Sequence, residues 1–177
     1  MGMFRDLTAA EIDVRVAQAK ASGVQLLLYK DSRVDQTILD ETVGPMNWQR
    51  HHNRDNANCI VSIWDAEKQI WVSKEDTGTE SNTEAEKGLA SDSFKRACTN
   101  WGIGRELYTA PFIWIKADHC NLKQRGDRFQ CYDNFDVGKI IIENKRIMAL
   151  SIINQSTGKR CFVWQAPGWQ PRKPETA

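Results

Sequence analysis

The sequence predicts an α+β fold: an antiparallel three-stranded sheet followed by a long helix (a β-β-β-α core), with an additional N-terminal helix and a C-terminal β-hairpin. Three observations predict it. Apolar residues recur with a period of two between Trp48 and Asp76. A capping box, Thr83 with Glu86, then opens a helical pattern that runs to Trp101. Two further apolar strands return near the C-terminus, after a polar stretch.

Each element has its own signal. "LTAAEIDVRVAQAKASG" begins with a capping box, Thr8 and Glu11, and repeats Ile12, Val16 and Ala19 before Gly23, which predicts a first helix. "VQLLLYK" reads as a buried strand. "DSRVDQTILDETVG" is a short helix capped by Asp31 or Ser32, with Val34, Ile38 and Leu39 on one face and Gly44-Pro45 as its stop. "NWQRHHNRD", "NCIVSIWD" and "KQIWVSKED" alternate as three antiparallel strands, the last two joined by "DAEK". Beyond the long helix, "PFIWIKA" is a strand, Asp118 to Gly138 is polar, and "KRIMALSIIN" and "RCFVWQA" form a hairpin through "QSTGK". One domain over residues 1–166 and a flexible tail over 167–177 are expected.

Composition sets outer bounds. At 177 residues, with 41% hydrophobic and 27% charged residues, the chain is an ordinary globular one with seven Trp. A net charge of +1 means that a polyanion must be met by local clustering. Asp65 to Glu86 holds two Lys against seven acids, whereas Gly138 to Arg160 holds Lys139, Lys145, Arg146, Lys159 and Arg160 against Glu143. Five Cys without a C-x-x-C pair, and no secretory pattern at the start, predict reduced thiols in a cytoplasmic protein. No apolar run approaches the ~18 residues that suggest a membrane span.

The long helix poses a question. At about 100° per residue Ala90, Phe94, Ala97, Cys98 and Trp101 share one stripe. Gly88, Asp92, Lys95 and Thr99 lie roughly opposite, with Arg96 beside Lys95, so the two cations flank one exposed ridge. Periodicity alone makes such a pair a solvated face. In a groove it would follow a phosphate backbone, Lys as a point charge and Arg as a planar fork.

"SDSFKRACTNWGIGRELY" resembles the Lys-Arg-Ala helix signature of the Rad-fifty-two family of single-strand annealing proteins, phage annealases included. There an Asp, a small residue and an apolar residue precede Lys-Arg-Ala, and an aromatic-Gly follows. "YKDSRVDQTILDETVGPMNW" is similar to that family's segment in which a Tyr and an Arg open a short helix that ends at a Gly shortly before an Asn-Trp or Gly-Trp. The resemblance runs from about Val24 to Tyr108. It implies a homo-oligomeric ring or helical array whose groove holds single-stranded DNA by its backbone, and groove residues Arg33, Lys87, Lys95 and Arg96. Where many relatives carry a further basic residue this chain has Thr99, so either the groove is weaker or a cation from elsewhere takes its place.

Function is therefore expected to be binding and annealing of single-stranded DNA in homologous recombination and repair, not enzyme chemistry. Neither ATP nor a metal cofactor is called for. A single-strand binding protein is a further candidate partner, a membrane is not, and the compartment is the cytoplasm, of a bacterial host if the chain is phage-encoded. The alternative is a divalent-metal-dependent nuclease using Glu143 and Lys145 with Asp133 or Asp136, an acid-x-Lys pattern able to hold Mg²⁺ and activate water. An oligomeric scaffold for replication proteins is a third reading. Lys123, Arg125 and Arg128, interleaved with Phe129 and Tyr132, either stack bases or belong to a hairpin packed on the sheet. With Lys139, Lys145 and Arg146 they make a possible second DNA surface. His51, His52, His119, Cys120 and Cys131 have no common zinc spacing. "GIGR" reads as a helix stop, and Trp48, Trp64 and Trp71 as fillers of the sheet face or of a subunit interface.

Overall fold

The computed structural model describes residues 3–79 and 85–171, with the backbone alone for 85–87. Thr83, the side chain of Glu86 and the last six residues of the expected tail lie outside the described residues. In chain order the elements are β1 (Asp13–Lys20), β2 (Gly23–Tyr29), α1 (Ser32–Val43), β3 (Trp48–Asn53), β4 (Asn58–Asp65) and β5 (Ile70–Thr77). There follow α2 (Ala85–Asn100), β6 (Ile113–Lys116), β7 (Leu122–Arg125), β8 (Arg128–Cys131), β9 (Phe135–Glu143), β10 (Arg146–Asn154) and β11 (Lys159–Gln165). Two compact units result. One takes the chain up to Leu7 and then Lys30–Arg105; the other takes Thr8–Tyr29 and the chain from Glu106 onward.

The α+β expectation is corrected. Among the described residues the protein is mostly β, with eleven strands and two α-helices, and its largest element is a six-stranded sheet that the sequence pattern did not reveal. That sheet runs β11-β10-β9-β1-β2-β6, and its edge strands β6 and β11 approach each other, so it curls almost into a barrel. The long helix is described over Ala85–Asn100, and the expected C-terminal hairpin is the edge of the large sheet.

The expected N-terminal helix is strand β1. Its capping box exists, with the Thr8 amide donating to Glu11 Oε2 at 2.9 Å, but it closes a single 3₁₀ turn over Ala9–Glu11. Val14 and Val16 then face the core, and a bulge between Val16 and Gln18 returns Ala19 to the same side. The bulge adds one residue to a period of two. It thereby imitated the helical spacing of Ile12, Val16 and Ala19. Strand β9 was hidden for a related reason: Val137, Ile140 and Ile142 pack on the core, but bulges in its ladder with β10 break the alternation. The interior is built by Val24, Leu26, Ile113, Ile115, Leu150 and Ile152. β9 meets β1 at one residue pair, Asp13 with Asp136.

The other unit is a three-stranded sheet, β3-β4-β5, against which α2 packs, with α1 touching α2. Phe94 is fully buried and Trp48 stacks on it with centroids 6.1 Å apart, while Arg50 lies 4.7 Å over its ring. Trp64 and Trp71 oppose each other edge to face across β4 and β5. Asp31 caps α1 by accepting from the Arg33 amide.

Below that cap lies a buried ion pair. Lys30 Nζ donates to both oxygens of Asp35 at 2.6 and 2.5 Å, and the side chains are 5% and 0% exposed. Gly104 gives the lysine room: at φ +67 a Cβ there would stand 2.2 Å from Lys30 Cε. Burial pushes the Asp35 carboxyl up to about 6, the Lys30 ammonium offsetting only part of that cost.

Two outcomes follow for stability. Lys30→Met strands a buried carboxylate and should cost about 3–5 kcal/mol in urea unfolding at neutral pH. The second concerns pH. Native Asp35 keeps its proton up to about 6, whereas the unfolded chain releases it near pH ~4. Native protein thus binds more protons in that window, and this group makes stability fall as pH rises through it. Asp35→Asn should remove that component, so the wild-type-minus-variant difference in unfolding free energy should slope downward between the two values; a flat difference would refute it.

Candidate nucleic-acid interface

The candidate cations of the first unit come from two segments far apart in sequence. Arg33 stands in the first turn of α1, 82% exposed, and its guanidinium makes a forked contact with Asp31 at 2.9 and 3.1 Å. That contact, with the Arg33 amide, lowers the Asp31 carboxyl to about 2. Lys95 reaches the same place from α2. Its Nζ lies 3.5 Å from the Lys30 carbonyl, and its charge bears on both Asp31 and Asp35. The packing of α1 on α2 therefore brings Arg33 and Lys95 together around Asp31.

Arg96 diverges from them. It turns toward β5, where its Nε lies 3.8 Å from Asp76, buried and without a hydrogen bond among the described residues. Lys95 and Arg96 are both half-buried, and Asp92 accepts from the Thr79 amide at 2.9 Å. The face expected to be an open ridge is thus partly covered. The Lys87 side chain lies outside the described residues.

Near Thr99 the helix end gathers cations that helical periodicity passes over. Arg105 donates to the carbonyls of Thr99 and Asn100 at 3.0–3.3 Å, and Lys74 donates to Asn100 at 3.0 Å while lying 4.7 Å over the Trp101 ring. Both satisfy the orphan carbonyls of α2 and favour the negative end of its dipole. Thr99 itself bonds back to the Lys95 carbonyl. A guanidinium thus stands beside the position where a further basic residue was expected. The signal available in the sequence was "GIGR", whose glycines turn the chain back so that Arg105 meets the helix end.

In the second unit the expected basic surface falls on two different sheets. Lys123, Arg125 and Arg128 belong to the hairpin β7-β8, where Lys123 lies 5.6 Å from the Tyr132 ring centroid. Lys139 and Arg146 lie exposed on β9 and β10. Lys145 sits in the turn between those strands with φ +60, next to Asn144 at φ +51. Glu143-x-Lys145 is accordingly a tight hairpin of the type that demands left-handed residues. Glu143 accepts from Trp169 Nε1 at 3.1 Å, and Asp133 is held by Asn121 and Asn154. Asp136 stands at the other end of β9, roughly 23 Å from Glu143 along the strand. Those carboxylates do not converge. Among the described residues no cluster of His, Cys, Asp or Glu is arranged to hold a metal ion, and this includes His51, His52, His119, Cys120 and Cys131, whose spacing fits no common zinc pattern. All five cysteines are free, and burial raises the Cys59 and Cys120 thiols to about 11. Among the described residues no helix is long and apolar enough to cross a membrane.

No protein-family model matches the chain. No solved structure matches it either. Among curated proteins it is similar to the single-stranded DNA-binding protein DdrA of Deinococcus radiodurans, 31% identical over 102 residues that cover 56% of this chain. The chain spans about half the length of that relative, 49% of it.

Proposed function

We propose that the chain binds single-stranded DNA in DNA repair and recombination. More specifically, we assign it the annealing of complementary strands by a homo-oligomeric ring or helical array in the cytoplasm, as the resemblance to the Rad-fifty-two family implies. Arg33, Lys87, Lys95 and Arg96 form the backbone groove in this reading, with Lys123, Arg125, Arg128, Lys139, Lys145 and Arg146 as further contacts. The observation that carries it is the meeting of Arg33 and Lys95 around Asp31, across α1 and α2. The similarity to a protein named for single-strand binding supports the polymer.

The physical logic is one of exchange. Arg33 is paired with Asp31 in an exposed fork, and exposed pairs contribute little. A phosphate can therefore replace the carboxylate at small cost. Backbone contacts give affinity without reading sequence, as annealing of arbitrary strands requires. The near-neutral net charge is no obstacle, because each subunit along a groove adds its own counterion release. Annealing draws its free energy from base pairing, so the protein supplies concentration and extension of the strands, with neither ATP nor metal.

The test is the annealing rate of two complementary fluorescent oligonucleotides in EDTA without ATP, with wild type beside a Lys95→Ala, Arg96→Ala double variant. Wild type should accelerate annealing. The variant, folded by circular dichroism, should bind all sequences equally more weakly, and its log-log salt slope should be shallower by about 1.4 for two single-strand phosphates. An unchanged slope would remove this helix from the groove; binding without acceleration would leave single-strand binding and remove annealing.

A further inference from the structure

The outer face of β1, β2 and β6 carries a second kind of contact. Successive side chains of a strand point to opposite sides. Val24, Leu26, Ile113 and Ile115 are buried, so Gln25, Leu27, Tyr29, Trp114 and Lys116 point outward. Register places Arg15 beside Leu27, Gln25 beside Trp114, and Gly23 between Lys20 and Lys116. Phe112, 68% exposed, stacks on Trp114 with centroids 6.3 Å apart and ring planes 11° from parallel.

Gly23, buried, lets β6 approach β2 closely at this face. A Cβ there would stand 2.0 Å from the Ile115 carbonyl oxygen and 3.0 Å from Trp114 Nε1, and its φ of +147 disfavours any side chain. Lys20 and Lys116 thus hold the register positions on either side of Gly23, with the indole N–H of Trp114 close beside it. Among the described residues Trp114 Nε1 donates to no acceptor, and Arg15, Lys20 and Lys116 form no ion pair. Arg5, Arg33, Lys68 and Arg96, by contrast, each have a carboxylate within 4.0 Å. Asp13 lies at the far, Tyr29 end of this face, directly opposite Asp136 of β9.

We propose that this face binds single-stranded nucleic acid through its bases: one base stacks on the open side of Phe112, and an adjoining phosphate lies between Lys20 and Lys116, accepting from Trp114 Nε1. Unpaired cations around an exposed aromatic pair fit a polyanion with flat faces. A protein partner would favour a patch depleted of lysine. The site belongs to the other unit from Arg33 and Lys95, and rests on the single-strand reading only for the identity of the polymer.

The experiment is fluorescence anisotropy of the full chain with fluorescein-labelled oligothymidine and with an abasic oligonucleotide of equal length. Phe112 is exposed, so Phe112→Ala should fold. It should weaken oligothymidine binding about tenfold, leave abasic binding unchanged, and be rescued by Phe112→Tyr. Lys20→Ala with Lys116→Ala, which removes both ammonium groups from that one phosphate, should lower the salt slope by about 0.7 on both polymers. If wild type binds oligothymidine and Phe112→Ala binds it equally, or if Phe112→Ala weakens the abasic strand as much, base stacking here is refuted while the backbone groove stands. If wild type binds neither, both proposals fall.

Discussion

A lysine and an aspartate held 2.5 Å apart out of water set the terms for the unit that contains α1 and α2. A charge in such a place is tolerated only with its partner and good geometry. Everything nearby is arranged around that demand. Gly104 yields the volume that the lysine stem occupies. Asp31 caps the helix whose first turn carries Asp35. Lys95 adds a third charge that favours both carboxylates. The same arrangement that stabilises the start of α1 fixes where Arg33 and Lys95 stand, so the candidate groove is a by-product of a packing solution as much as a surface feature.

The legibility of the sequence divides along physical lines. The positions of β3, β4 and β5 could be read because β4 and β5 are rich in β-branched and aromatic residues and all three are bounded by turn residues, although the central strand β4 is buried along most of its length. Helix α1 announced itself through Asp31 and Gly44. The six-stranded sheet could not be read, because its strands use bulges to curve. A bulge after Val16 turned a period of two into something close to a helical one, and those in the β9-β10 ladder hid a strand in a polar stretch. With β1 taken for a helix, the pairing of "VQLLLYK" with "PFIWIKA" had no third strand to complete a face. The side chains around Phe112 and Trp114 could not then be seen as a group. For the candidate site, residue types were legible and directions were not: Lys95 and Arg96 are neighbours in sequence, yet one leans toward α1 and the other toward β5.

Two sets of cations emerge that differ in the company they keep. Arg33 and Arg96 each have a carboxylate close by, so any other anion would have to compete with it. Lys20 and Lys116 face no carboxylate among the described residues and are accompanied by flat rings. Net neutrality of the chain conceals both, because acids are spent locally as partners and not spread as a field.

The single residue pair between β9 and β1 divides the large sheet into two three-stranded leaflets. At that one rung two aspartates stand directly opposite, a placement that like charges disfavour. Here the sheet has a tear line: parting the leaflets there breaks one rung while each retains its own ladder. Amide hydrogen exchange would register such parting well below the free energy of global unfolding. The curvature that encloses the core thus rests, at this line, on one rung and on the apolar side chains packed behind it, together with the approach of β6 to β11 at the opposite edge.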